Sequence, residues 1–287
     1  MPSLRELVAE ELAAPVDPRV ARLAAAVAAK HGGASRAVLF YGSCLRERQL
    51  DGLMLDFYLI VSDYRSAYDR RWLAAANRLL PPNVFYFEDG GLRAKYAVLT
   101  ERDFHRRNGP ETRSVSVWAR FAQPSRLVWA ADDDAAEAVI RSVERAAPTL
   151  LAAAGRVEGE SPLDWWRRAF ALTYSAELRA ERRGRAGSVV DSDVDRYDRF
   201  SEAAIAAIPA LPKAKASWAR RRVEGKLLSV LRLAKASATF AGGPDYIAWK
   251  INRHAGTQIA LKPWQRRWPL LAAITLLPRL LRSGAVR

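Results

Sequence analysis

FYGSCLRERQLDGLMLDFYLIV, residues Phe40 to Val61, holds two apolar runs separated by a Gly-Ser and a charged loop, and it places one carboxylate, Asp56, inside the second run. The run from Met54 to Val61 has the composition of a buried strand, where an unused carboxylate is costly. A Gly-Ser turn leaving a strand lets backbone N–H groups and a hydroxyl come close to a phosphate, because glycine has no side chain in the way. A strand carboxylate about a dozen residues later is placed to hold Mg²⁺ against that phosphate, since this hard cation takes oxygen ligands and shares them with its substrate. Together they describe a site for phosphoryl or nucleotidyl transfer, in which catalysis is mostly positioning and charge neutralisation. An ordinary strand–turn–strand with Asp56 on a solvated face has the same pattern.

The chain has 287 residues, half of them hydrophobic, enough for one large or two modest domains with a full core. Its single cysteine, Cys44, excludes an internal disulfide framework and a cysteine-built zinc site and fits a reducing compartment. The opening MPSLRELVAEELAAP reads as an amphipathic helix and not as a secretory leader, and no apolar stretch reaches the length of a membrane span. Lysine and arginine outnumber aspartate and glutamate 46 to 31, which calls for an anionic partner: nucleic acid, nucleotide or acidic membrane.

Working outward from Phe40–Val61, helical patterns at about 3–14 and 18–30 lead through His31-Gly-Gly into a strand at RAVLFYGS, and a second strand covers about 54–62. SAYDRRWLAAANRLL has helical spacing, and the strands VFYFED and LRAKYAVLT are joined by Gly90-Gly91 as a hairpin. Apart from a short strand at RLVWA the remainder reads as helices, at about 133–154, 162–183, 193–208, 216–240, 244–254 and 268–282. The expected fold is α+β, a mixed sheet flanked by helices and followed by an all-helical C-terminal half. AAAGRVEGESP is the expected seam, giving domains 1–155 and 156–260 and a tail 261–287; RRGRAGSVVDSD is equally loop-like.

The Gly-Ser…Asp arrangement resembles the core of the DNA polymerase β-like nucleotidyltransferases. Within them it is most similar to the phosphatidate cytidylyltransferases of the mitochondrial translocator assembly and maintenance type, which make CDP-diacylglycerol. YGSCL stands where that family has a Tyr-Gly-Ser-Gly-Val type segment, and MLDFYLIV resembles its Met-(Leu/Ile)-Asp-Phe strand. RWLAAAN stands at its Trp-and-Asn helix, LRAKYAVLT resembles its Leu-Ile-Lys-Tyr-Gly-Val strand, VWARFAQPSRLVW its Gly-Arg-Leu-x-Lys-Pro segment, and FALTYSAELRAE its Leu-Ser-Tyr-x-Gly-Asp-x-Arg helix. The likeness covers about residues 37–183 with order and spacing kept. It departs at Met54, which occupies the partner position of the usual Asp-x-Asp pair, at Cys44 and Ala119, which replace family glycines, and at Leu73, which follows Trp72 where the family has histidine.

The resemblance implies roles residue by residue. Tyr41, Gly42 and Ser43 would meet the nucleotide triphosphate, Asp56 would hold Mg²⁺, and Lys95 would neutralise phosphate as a point charge. Arg120 suits bidentate phosphate recognition. Tyr174 and Arg179, five apart on a helix, are contacts for nucleotide or lipid phosphate. A second metal ligand would come from Asp51, Asp63 or Glu88. His31, His105 and His254 have no metal-ligand spacing, and Cys44 reads as a small buried residue.

From Tyr246 to Arg287 there are eight lysines and arginines and no carboxylate. Trp268 to Pro278 spans about 16 Å as helix, about half a bilayer core, so it does not cross. Trp264, Arg266, Arg267 and Trp268 suit a headgroup-level contact with an acidic membrane surface; a helix packed on the helical half is the alternative. The expected activity is transfer of CMP from CTP, with Mg²⁺, to phosphatidic acid, in the cytoplasm on the inner face of a bacterial cytoplasmic membrane, with no stable nucleic-acid partner. Transfer to RNA or to a soluble acceptor, and an inactive membrane or nucleic-acid binder, are the alternatives. The oligomeric state is not legible.

Overall fold

The computed structural model describes residues 2–47, 50, 52–177, 189–210, 217–239 and 262. The chain is α+β around one five-stranded mixed sheet. Two helices, α1 (Leu4–Ala13) and α2 (Pro18–Ala29), precede β1 (Ser35–Tyr41), a short α3 (Ser43–Glu47) and β2 (Met54–Val61). Then come α4 (Arg71–Leu79), β3 (Asn83–Asp89), β4 (Leu92–Thr100), α5 (Glu101–Asn108), α6 (Trp118–Phe121) and β5 (Ser125–Ala130). The later described elements are helical: α7 (Asp133–Val143), α8 (Ala146–Ala154), α9 (Pro162–Ala176), α10 (Val194–Ala206) and α11 (Trp218–Thr239).

The strand order is β3-β4-β2-β1-β5, with β2 and β4 parallel and every other pair antiparallel. Gly90 and Gly91, at φ 55° and 77°, close the β3–β4 hairpin, because a two-residue turn that matches strand twist needs positive φ at both positions. The parallel β2–β4 pair forces a crossover, which α4 and β3 supply. Buried Asn77 ties that crossover down by donating to Val98 O at 2.9 Å.

Strand alternation sorts the apolar side chains onto two faces. Val38, Phe40, Leu55, Phe57, Leu59, Ala94, Tyr96 and Val98 pack with α2, through Val20, Leu23 and Val27, and with Ala74 of α4. Ala37, Leu39, Tyr58, Ile60, Ala97 and Leu99 face the other way, onto Leu7, Phe104, Trp118, Phe121, Leu150, Trp166, Phe170, Tyr197 and Phe200. The second core joins residues on both sides of the expected 155/156 seam. Gly155, at φ 66°, makes the α8–α9 turn, and buried residues on both sides of it belong to that cluster.

The expected helix over 66–80 begins only at Arg71, because the Asp63 carboxylate accepts from the N–H groups of Arg65 and Ser66, at 2.7 and 3.1 Å, and holds a turn there. The expected helix over 133–154 is two, α7 and α8, with Glu144 and Arg145 between them. The helices expected at 244–254 and 268–282 lie outside the described residues, as do the last six residues of the one expected at 162–183 and almost all of the tail.

Candidate active site

One row of cross-strand neighbours traverses the whole sheet on its helix-rich face: Ser125 on β5, Tyr41 on β1, Asp56 on β2, Lys95 on β4 and Tyr86 on β3. Asp56 shares its face with Tyr58 and Ile60, while Leu55 and Phe57 point into the opposite core. The apolar residues around Asp56 in the sequence therefore anchor the strand and leave the carboxylate to the site. Lys95 Nζ lies 2.8 Å from Asp56 Oδ1, with the two side chains 27% and 17% exposed, so both groups of the pair are reachable from solvent.

Gly42 turns the chain over this pair. Its φ is 94°, and a Cβ there would lie 2.9 Å from Asp56 Oδ2 and 3.3 Å from Asp56 Cβ. Only glycine meets both demands, the positive φ and the close approach. Ser43 follows, half-buried, as the first residue of α3. Cys44 is buried behind the turn, its Sγ 3.4 Å from Met54 O, which fits the structural role expected for it.

Tyr41 packs in tilted contact against Tyr58 and Phe121, with ring centroids 5.4 and 5.8 Å away, and its hydroxyl interacts with Arg120. Burial, with the Asp56 charge added, holds the Tyr41 hydroxyl well above its ordinary pKa, so it is a hydrogen-bonding phenol and not a base. Arg120 bonds Ser116 O and lies 3.5 Å from Glu177 Oε1. Burial alone would lower its pKa, but Glu177, Tyr58, Tyr41 and Asp56 more than offset that, and the guanidinium stays charged. Glu177, just past α9 and 8% exposed on its side chain, was not among the residues expected from the sequence.

Three further cations were also missed. α11 passes so close to the end of α9 that a Cβ on Gly225 would lie 2.1 Å from Ala176 O. It then carries Arg232 to Pro81 O at 3.0 Å, Ser116 Oγ at 3.1 Å and Ser114 Oγ at 3.4 Å, and Lys235 to Leu80 O and to Pro82 O, the latter at 2.8 Å. Arg107 of α5 joins them: it acts electrostatically on Arg232, Lys235 and Tyr58. Burial, with Arg232 and Arg107 nearby, pushes the Lys235 ammonium down to about 7. No local signal marks these residues, because each is a charged position on an otherwise ordinary helix.

Of the candidate second metal ligands, the two among the described residues do not converge on Asp56. Asp63 lies beyond the far end of β2, about 20 Å away along the strand, and is engaged in its turn. Glu88 accepts from Tyr86 OH on the edge strand, two strands or about 10 Å from β2. Asp51 lies outside the described residues. Among the described residues no three His, Cys, Asp or Glu side chains form a metal-holding group. Asp56 fits a cation that arrives on a nucleotide's phosphates and keeps its waters, and does not fit one held by the protein alone.

Tyr174 sits in the last turn of α9, half-buried against the helix-rich core, three residues before Glu177. Arg179, Trp264, Arg266, Arg267, Trp268 and His254 lie outside the described residues. His31 is structural: its ring nitrogens meet Ala67 O at 2.8 Å and Tyr96 OH at 3.2 Å, and burial lowers its pKa. His105 is exposed on α5, its Nδ1 3.4 Å from Ser142 Oγ. A separate hollow of about 620 Å³ between α1, β5 and α10 contains none of the candidate residues. No described helix is long and apolar enough to cross a membrane. The chain matches no protein-family model and no curated protein.

Proposed function

We propose that the chain is a nucleotidyltransferase of polymerase β-like type that transfers CMP from CTP to the phosphate of phosphatidic acid at an acidic membrane surface, releasing pyrophosphate. The observation that carries the reading is the turn at Gly42, pressed onto Asp56 with Lys95 beside it. This puts a side-chain-free backbone, a carboxylate and an ammonium at one point, the set that a triphosphate requires.

In this reading the backbone of Gly42 and the Ser43 hydroxyl bind the triphosphate and fix its direction. Lys95 leaves Asp56 for the phosphates as nucleotide enters. Asp56, so released, would hold the Mg²⁺ that comes with CTP, which supplies charge neutralisation across the phosphates. Arg120, kept charged by Glu177, binds phosphate oxygens, and Tyr41 donates from its neutral hydroxyl. An oxygen of the acceptor phosphate then forms a bond to the α-phosphorus of CTP, the bond from that phosphorus to the bridging oxygen breaks, and pyrophosphate leaves with the electron pair. The acceptor is already an anion at neutral pH, so no side chain has to remove a proton. The basic, tryptophan-bearing segment from Lys262 onward would bring the site to the headgroup plane of the inner face of a cytoplasmic membrane.

Incubation with each of the four nucleoside triphosphates, Mg²⁺ and phosphatidic acid, followed by mass spectrometry of the lipid, tests this directly. Asp56→Asn, which can still accept from Lys95, is expected to melt like wild type and to lose at least about a hundred-fold in transfer. Substantial transfer by the folded variant removes the mechanism. Met54 in place of a second acid favours one other reading, a non-catalytic binder of the same ligands. Binding of CTP without turnover in wild type would select it.

A further inference from the structure

Beside the Gly42–Asp56–Lys95 point lies a second cationic group, of which the nucleotide reading uses Arg120 alone. Arg107, Arg120, Arg232 and Lys235 come from α5, α6 and α11; Arg232 feels Arg107, Arg120, Tyr58 and Glu177, and Lys235 feels Arg232 and Arg107. The carboxylates acting on this group are mostly committed elsewhere: Asp56 to Lys95, and Asp103 to Tyr64 OH and Arg106. Glu177 is left to face Arg120, with Arg232 close enough to feel its charge. Among the described residues three guanidiniums, with Lys235 when protonated, face one carboxylate and repel one another unless an anion joins them. Two hydroxyls line the same place, Ser114 Oγ and Ser116 Oγ, 3.0 Å apart and both facing Arg232. Arg107 Nε is buried and has no hydrogen-bond partner, a donor that a native protein seldom leaves unused.

We infer that Arg107, Arg232 and Lys235, with the hydroxyls of Ser114 and Ser116, form an anion subsite for the phosphate monoester of the acceptor, distinct from the nucleotide's place at Gly42, Ser43, Asp56 and Lys95. The inference rests on the transferase reading for the identity of the acceptor, and on the structure alone for the existence of the subsite. Arg120 lies between the two groups and touches both through Tyr41 on one side and Ser116 O on the other, so it bridges the two phosphates that are to be joined. Because Arg232 and Lys235 are carried by α11, the subsite exists only while that helix is seated on the turn at Pro81–Pro82.

The test is calorimetric titration of the full chain with inorganic phosphate, with water-soluble dihexanoyl phosphatidate and with CTP, each without divalent metal, on wild type, Arg107→Gln and Arg232→Gln. Arg107→Gln removes the donor with the unused nitrogen and no backbone anchor, so it is the variant expected to keep its melting temperature. It should weaken dihexanoyl phosphatidate about ten-fold or more, the loss of a charged hydrogen bond, and leave CTP within about two-fold. An equal loss for inorganic phosphate assigns the recognition to the phosphate group; a loss confined to the phosphatidate assigns it to the lipid headgroup; both support the subsite. Unchanged affinity of folded Arg107→Gln for both probes overturns it, whatever Arg232→Gln does. If wild type binds both phosphate probes but not CTP, the transferase reading fails and the anion subsite stands.

Discussion

Replacing Gly42 with alanine separates a turn that merely follows a strand from one built around Asp56. The residue sits at φ 94°, and the added Cβ would lie 2.9 Å from Asp56 Oδ2. Holding an L-residue in the left-handed region costs about 1–2 kcal/mol. Relieving the contact requires Asp56 to leave its rotamer, about 0.5–1.5 kcal/mol more, because Lys95 holds the other oxygen. Alanine also stiffens the unfolded chain and returns about 0.4–1 kcal/mol. The net destabilisation is about 2 kcal/mol, which lowers the melting temperature by about 4–8 °C in a domain of roughly this size. On the proposed function the same change should cost transfer more than stability, since it displaces both the Gly42 backbone and the Asp56 carboxylate. Thermal melts followed by scanning calorimetry, with Gly42→Ala placed in wild type and in Asp56→Ala, divide the effect: the collision term disappears with the carboxylate and the φ term stays. A Gly42→Ala protein with wild-type melting temperature and full transfer would refute the reasoning about this turn.

Arg196 and Glu11 are buried together, with side chains 8% and 9% exposed, and Arg196 also bonds Ala122 O at 3.2 Å. Arg196→Ala should lower the urea midpoint by an amount worth about 3–5 kcal/mol, and adding Glu11→Gln should restore much of it by removing the stranded charge. Lys235, with a folded pKa of about 7 against about 10.4 in the unfolded chain, leaves the unfolded state with the extra proton in between. Stability should therefore rise with pH across that window, and denaturant titrations of Lys235→Met at pH 7, 8 and 9 should show a flatter rise than wild type. Truncation before Lys262 should release the chain from acidic liposomes and depress turnover of bilayer phosphatidate while sparing a short-chain soluble one. Retained liposome binding by the folded truncation places the membrane contact elsewhere.

The strands around the site were legible because their apolar alternation and the Gly90-Gly91 turn are local signals, and Asp56 stood out as a carboxylate in an apolar run. Lys95 was singled out as well, but its place opposite Asp56 follows from the parallel register of β2 and β4, and a whole crossover separates the two in sequence. Arg107, Arg232 and Lys235 had no such signal, since a charge on a helix reads as solvated until tertiary packing turns it inward, whereas Glu177 stands at the acidic position of the Leu-Ser-Tyr-x-Gly-Asp-x-Arg likeness. The helix starts failed where a side chain competed for backbone N–H groups, as Asp63 does before α4. At 155/156 Gly155 and its polar neighbours mark a turn, and composition alone does not say whether a turn lies between domains or inside one; buried residues from both sides share a cluster.

That shared core bears on how the chain is made. Leu4, Leu7, Val8 and Leu12 of the first helix pack in the same cluster as Phe200 and Ala204, and Glu11 finds Arg196 across 185 positions of sequence. At about 5–20 residues per second of synthesis, the first helix waits on the order of ten seconds or more before its cover leaves the ribosome. During that interval the emerging chain carries an uncovered apolar sheet face and helix, the kind of surface that holdase chaperones and proteases find first. A chain that stops near the α8–α9 turn would hold the Gly42–Asp56 point complete in sequence but lack Trp166, Phe170, Tyr197 and Phe200, which close the helix-rich core.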